Sequence, residues 1–103
     1  MTHRQRLPTR RRSEIVSFQH DGVKYVGRVA RFGDGRIAEI FLDAGKVGTS
    51  AHILAKDAAV VLSVALQYGA PLEVIEAALS QELDGTLRGP IGMLLQLVQE
   101  GES

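Results

Sequence analysis

The sequence predicts an α+β domain: a three-stranded antiparallel meander followed by three helices packed on one face. Three observations carry this. Two Asp-Gly pairs, Asp21-Gly22 and Asp34-Gly35, separate runs of alternating apolar and polar residues, and Asp and Gly tolerate the positive φ of a tight hairpin turn. From Ser50 onward the alternation gives way to a helical period. A Gly-Pro pair, Gly89-Pro90, then opens a last helical pattern.

The strands follow from the turns. A two-residue turn at Asp21-Gly22 sets Phe18 opposite Tyr25 and Val16 opposite Gly27, so that Val16, Phe18, Val23, Tyr25 and Val29 share a face. A two-residue turn at Asp34-Gly35 sets Val29 opposite Ile40 and Gly27 opposite Leu42, which adds Ala38, Ile40 and Leu42 to that face. A register slipped by one residue would turn them away from it. Strands are therefore expected at about 14–20, 23–31 and 36–42. The opposite face carries Arg28 and Glu39 but also Ile15, Val26, Ile37 and Phe41, which is too apolar for a fully wet surface. These four are a candidate interface, to be covered by the N-terminal arm, a second copy or another chain.

The first helix is expected over 50–68. Its polar residues His52, Lys56, Ser63 and Gln67 fall within about 60° of one another at 100° per residue, a narrow stripe expected to face water. Gly69 is a suitable stop. Pro71 suits the first turn of a second helix to about residue 81, with Glu73 near its positive end. The third helix is expected over 90–100, with Ile91, Leu94, Leu95 and Val98 on one side.

The chain has 103 residues, 45% of them hydrophobic, and no cysteine. That suffices for one small core and excludes disulfides, thiol catalysis and cysteine-ligated metals. The longest uninterrupted apolar run, Ala58 to Leu62, is short for a membrane span, and no signal-type apolar stretch follows the arginine-rich N-terminus. A cytoplasmic protein without membrane contact is expected. The net charge of zero hides an asymmetry. Residues 1–12 hold Arg4, Arg6, Arg10, Arg11 and Arg12 and no acid, and the remainder carries seven basic and twelve acidic side chains. Such a basic arm can contact phosphates, its own acidic body, or an acidic partner.

The stretch "DAGKVGTS" invites a phosphate-loop reading, with Lys46, Gly48, Thr49 and Ser50 as candidate anion-binding residues at a helix start. The glycine spacing is not that of a Walker A loop, because Lys46 precedes Gly48. Turn and cap chemistry account for every residue of it except Lys46. His3, His20 and His52 share no metal-ligand spacing, and Glu73 and Glu76 each have an ordinary helical role. Neither metal, cofactor nor catalytic residues are expected.

In order, "RQRLPTRRRSE", "GVKYVGRVARFGDGRIAEIFLDAGKVGTS" and "SVALQYGAPLEVI" resemble the module that follows the catalytic barrel of adenosylcobalamin-dependent (class II) ribonucleotide reductases, a TSCPD-type domain. "SVALQYGAPLEVI" is the most specific part, and "GPIGMLLQLVQE" has no counterpart. The resemblance implies a free-standing, cysteine-free version of an accessory module and not a catalyst, since the reductase's active-site cysteines belong to the barrel. It also implies that the arm docks on protein. Two functions are expected on these grounds. One is a non-catalytic interaction module that forms a homodimer or binds a protein partner such as a ribonucleotide reductase chain. The alternative is a nucleotide- or nucleic-acid-binding protein using the arginine arm and the Gly45–Ser50 loop.

Overall fold

The computed structural model describes residues 13–46 and 48–100. Three strands, β1 (Ser13–His20), β2 (Val23–Arg31) and β3 (Ile37–Ala44), precede three helices, α1 (Ser50–Gln67), α2 (Leu72–Ala78) and α3 (Pro90–Glu100). The sheet is antiparallel in the order β1-β2-β3. The five arginines of the arm lie outside the described residues.

The first hairpin turns on two residues in left-handed conformation, Asp21 at φ 49° and Gly22 at φ 76°. Phe18 accordingly pairs with Tyr25, and their rings stack at 5.4 Å between centroids. The second hairpin departs from the expected two-residue turn. Gly35 N–H donates to the Phe32 carbonyl at 2.9 Å and Phe32 N–H to the Arg36 carbonyl at 2.8 Å, which closes a three-residue loop. Arg31 then pairs with Ile37, whereas Ala30 pairs with Glu39. One step along β2 thus matches two along β3, and Ala38 is the extra residue of a bulge. Beyond it the expected register holds, with Val29 opposite Ile40 and Gly27 opposite Leu42.

The bulge corrects one expectation. Ile37 is not on the outer sheet face; the extra residue reverses the inside–outside phase, and Ile37 lies buried in the core.

The core fills the space between the inner sheet face and helices α1 and α3, with Val29, Ile40, Leu42, Leu94, Leu95 and Val98 almost fully enclosed. Helix α3 lies against β1 and β2. It comes close because position 27 has no side chain: a Cβ there would stand 2.6 Å from Leu94 Cδ1. Helix α2 ends at Ala78, three residues short of the expected length. Gln81 instead donates from Nε2 to the Glu76 and Ala77 carbonyls, each at 3.2 Å, satisfying acceptors that the helix end leaves open.

Helix α1 overturns a second expectation. Three of the four members of its polar stripe face inward: Ser63 and Gln67 are buried, and the His52 side chain is only 12% exposed, while Lys56 faces water as expected. The reason is that β3 is an edge strand, whose N–H and C=O groups on the side away from β2 have no ladder partner. Ser63 Oγ accepts from Ile40 N–H at 2.7 Å and donates to the Ile40 carbonyl at 3.0 Å. One turn on, Gln67 Nε2 donates to the Ala38 carbonyl at 3.0 Å. Four residues of helix rise about 6 Å and two of strand about 6.8 Å, so an i, i+4 polar pair matches alternate residues of an antiparallel strand edge.

Candidate functional site

The loop between β3 and α1 is built as a helix cap. Thr49 accepts from His52 N–H at 3.3 Å and donates from Oγ1 to the Lys46 carbonyl at 2.8 Å. Gly48 N–H donates to His52 Nδ1 at 3.4 Å, and the other ring nitrogen stands 3.3 Å from Asp43 Oδ1. Of the predicted anion-binding residues, Thr49 has its hydroxyl engaged and Gly48 its N–H. Ser50 begins α1 and is exposed, as is Lys46. The Asp43 carboxylate beside the loop adds negative charge where an anion site would want positive.

On the outer sheet face Ile15 is 71%, Val26 47% and Phe41 37% exposed. Ile15, Arg28 and Phe41 form one cross-strand row, and the Arg28 guanidinium lies 4.4 Å from the Phe41 ring centroid. A cation over the ring partly covers the most bulky apolar group of this face, which leaves a mixed surface.

The larger apolar surface is on α1, where the sequence reading expected only a narrow wet stripe. Because the polar side is spent on the β3 edge, the opposite side displays Ile53, Leu54, Val60, Val61 and Tyr68, all between 45% and 69% exposed. The signal that could have found it is the pairing of a β-rich edge strand with an i, i+4 Ser/Gln pair on the following helix. By length and composition α1 would also pass for a membrane span, but its Ser63 and Gln67 are committed to β3.

Two clefts adjoin α1. The first, about 440 Å³, lies where the second hairpin meets the C-terminal end of α1 and the start of α2, and it contains Arg31, Arg36 and Glu73. Its cations have partners: Arg31 Nε donates to Glu14 Oε1 at 2.8 Å, and Arg36 Nε to Asp34 Oδ2 at 2.6 Å. The backbone and side chain of Arg36 hold the Asp34 carboxyl below its usual range. The second cleft, about 360 Å³, is apolar and lies between the N-terminal half of α1 and the loop before α3, with Tyr25, Leu54, Ala58, Leu79, Leu87 and Ile91 among its walls.

No group of three His, Asp or Glu side chains suited to a metal ion occurs among the described residues. His20 Nε2 bonds the Arg88 carbonyl at 2.6 Å, which ties the first hairpin to the loop before α3. Glu73 is exposed and Glu76 half-buried, and Glu76 Oε2 accepts from Gln99 at 3.2 Å. The described geometry offers surfaces for contact.

Comparison with known proteins adds the relationship. Residues 2–98 match the TSCPD domain family model, so the match runs through most of the last helix, for which no counterpart was expected. The chain is 41% identical over 70 residues to the vitamin B12-dependent ribonucleotide reductase of Agrobacterium fabrum, which covers 68% of this chain and 6% of that protein. The reductase of the same name from Bradyrhizobium diazoefficiens is 34% identical over 73 residues, covering 71% of this chain and 6% of that protein. The one from Rhodopirellula baltica is 39% identical over 75 residues, covering 70% and 7%. The chain therefore spans a small fraction of the length of these relatives. No solved structure matches it. With nearly its whole length matched by the family model, the chain belongs to the TSCPD domain family and is related through that domain to the B12-dependent ribonucleotide reductases.

Proposed function

We propose that this chain is a non-catalytic accessory module related to ribonucleotide reductase, acting through contacts with protein. The observation that carries the reading is the apolar outer side of α1, where five large side chains are about half or more exposed. Contiguous apolar surface of this kind is characteristic of interaction sites. One further observation supports it: the stretch shared with the reductases is 6–7% of their length, a module-sized piece.

The test is reconstitution. The purified chain is mixed with a B12-dependent ribonucleotide reductase chain, and co-sedimentation and nucleotide reduction are both measured. The chain is expected to co-sediment with the reductase and to reduce no ribonucleotide by itself. Turnover by the chain alone, or two components that sediment independently at micromolar concentration, would sink the reading.

A further inference from the structure

We infer that the second, apolar cleft is a binding site for a small molecule with an apolar body and a single carboxylate. The carboxylate is held where α3 begins, and the body lies along the N-terminal half of α1. This goes beyond the contact-module reading and does not depend on it.

The start of α3 differs from that of α1. Thr49 caps α1 with its hydroxyl, whereas α3 is preceded by Gly89, which has no side chain to do so. Pro90 has no N–H, and the N–H of Met93 is bonded to the Gly89 carbonyl at 3.0 Å. Ile91 and Gly92 therefore carry the first-turn donors that the helix cannot satisfy itself. No acceptor for either N–H occurs among the described residues. The Arg88 carbonyl, one turn back from Gly92, accepts from His20 Nε2 instead. Both residues are buried, where an unanswered donor is costly, and both line the cleft together with Gly89. A glycine lines a cleft only with its backbone, so at Gly89 and Gly92 the wall is peptide. The beginning of a helix carries partial positive charge, and its open N–H groups suit an anion.

Tyr25 supplies a separate sign of a ligand. It reaches the same cleft from the sheet, is only 6% exposed, and has its ring stacked on Phe18. Its hydroxyl has no hydrogen-bond partner among the described residues, and that oxygen is not sealed from solvent. The opening it faces is the cleft that Tyr25 lines. A tyrosine this deeply buried ordinarily has a partner for its hydroxyl. One phenol and two helix-start N–H groups form a donor set that a carboxylate, accepting on two oxygens, can answer.

The walls fix the class of ligand further. None of the described residues lining the cleft is charged. The helix start, equivalent to roughly half a positive charge, and one phenol balance a monoanion, whereas a phosphate dianion would keep unmatched charge in apolar surroundings. Ala51, Leu54, Ala58 and Leu79 offer apolar contact to the rest of the molecule. At about 360 Å³ the cleft is near the lower end of ligand sites, about 300–1,000 Å³, which suits a short-chain or single-ring acid and not a nucleotide.

The probe is octanoate, titrated into the full chain and followed by amide proton–nitrogen correlation NMR. Saturable one-to-one binding is expected, with Kd below about 1 mM and the largest shifts at the Ile91 and Gly92 amides. Tyr25→Phe keeps the ring and is expected to weaken binding about tenfold. It is expected not to lower the unfolding midpoint, because the hydroxyl bonds no described residue, and a merely structural tyrosine would not separate the two readouts. Ala58→Phe fills the cleft from an exposed position on α1 and is expected to abolish binding while the protein stays folded. Octanamide, of the same shape without the charge, is expected to bind about tenfold more weakly or worse, and inorganic phosphate to leave both amides unmoved. Unshifted Ile91 and Gly92 amides at millimolar octanoate overturn the inference. So does octanamide binding as tightly as octanoate, phosphate shifting the two amides as strongly, or Tyr25→Phe binding like the wild type. Shifts gathered instead at Val60 and Val61 place octanoate on the outer side of α1 and overturn it as well.

Discussion

Helices α1 and α3 are made of much the same residues, yet α3 turns its Ile, Leu and Val side chains into the core and α1 turns many of its own outward. The difference lies in what each helix packs against. Helix α3 lies against β1 and β2, where side chains of the inner sheet face meet it and an apolar surface is the right complement. Helix α1 lies along β3, where it must also answer unpaired backbone groups of a strand edge, and there Ser and Gln are the right complement. A hydropathy pattern identifies the apolar side of a helix; which side is inside depends on the neighbour.

Variants of increasing subtlety test that contrast. The largest effect belongs to α3. Leu94→Ala removes a fully buried side chain seated over Gly27 and is expected to destabilise the fold by about 2–5 kcal/mol, read from denaturant unfolding. A cost under about 1 kcal/mol would mean that α3 is not packed as described. On α1, Ser63→Ala leaves the buried Ile40 N–H without its acceptor and is expected to cost about 1–3 kcal/mol, with faster amide exchange at Ile40. An unchanged exchange rate there would show that the helix does not seal the edge.

The outward side of α1 is expected to respond less than either. Val60→Thr, at 52% exposure, should shift stability by no more than about 0.5 kcal/mol. Unfolding is measured at low protein concentration, so that association does not contribute by mass action. A larger loss under those conditions would place Val60 inside the fold and collapse the contrast. The smallest effect is electrostatic and lies at the second hairpin. The Asp34 carboxyl is lowered by hydrogen bonds from the Arg36 backbone and side chain. Its folded value lies below the unfolded one, so the contribution is present above the ordinary value of 3.8 and is lost as pH falls through the folded value. Carboxyl NMR titration should find its midpoint below 3.8, and Arg36→Gln should raise it.

The meander was legible because each signal in it is local. Asp21-Gly22 fixes one hairpin, and the alternation from Val23 to Val29 fixes the inner face. The register of β3 was legible as far as Glu39, from the match of Val29 with Ile40. It failed at Ile37 because "FGDGR" serves a three-residue loop as well as a two-residue turn, and the compensating bulge at Ala38 has no composition of its own. The candidate surface was missed for a different reason. His52, Ser63 and Gln67 look like a water-facing stripe until β3 is known to end the sheet, and strand order is a property of the assembled fold. The cap of α1, by contrast, was readable from position to within one residue, Thr49 or Ser50, and Thr49 fills it.

The seal along β3 closes that side of the sheet to growth. Helix α1 stands where a fourth strand would otherwise add. If the last turns of α1 peel away, the "IAEIFLDA" segment regains a bare backbone edge, and that edge is a template for any extended chain nearby. Fraying of one helix would thus convert a finished sheet into a nucleus for aggregation, and Ser63 and Gln67 are the two latches that prevent it.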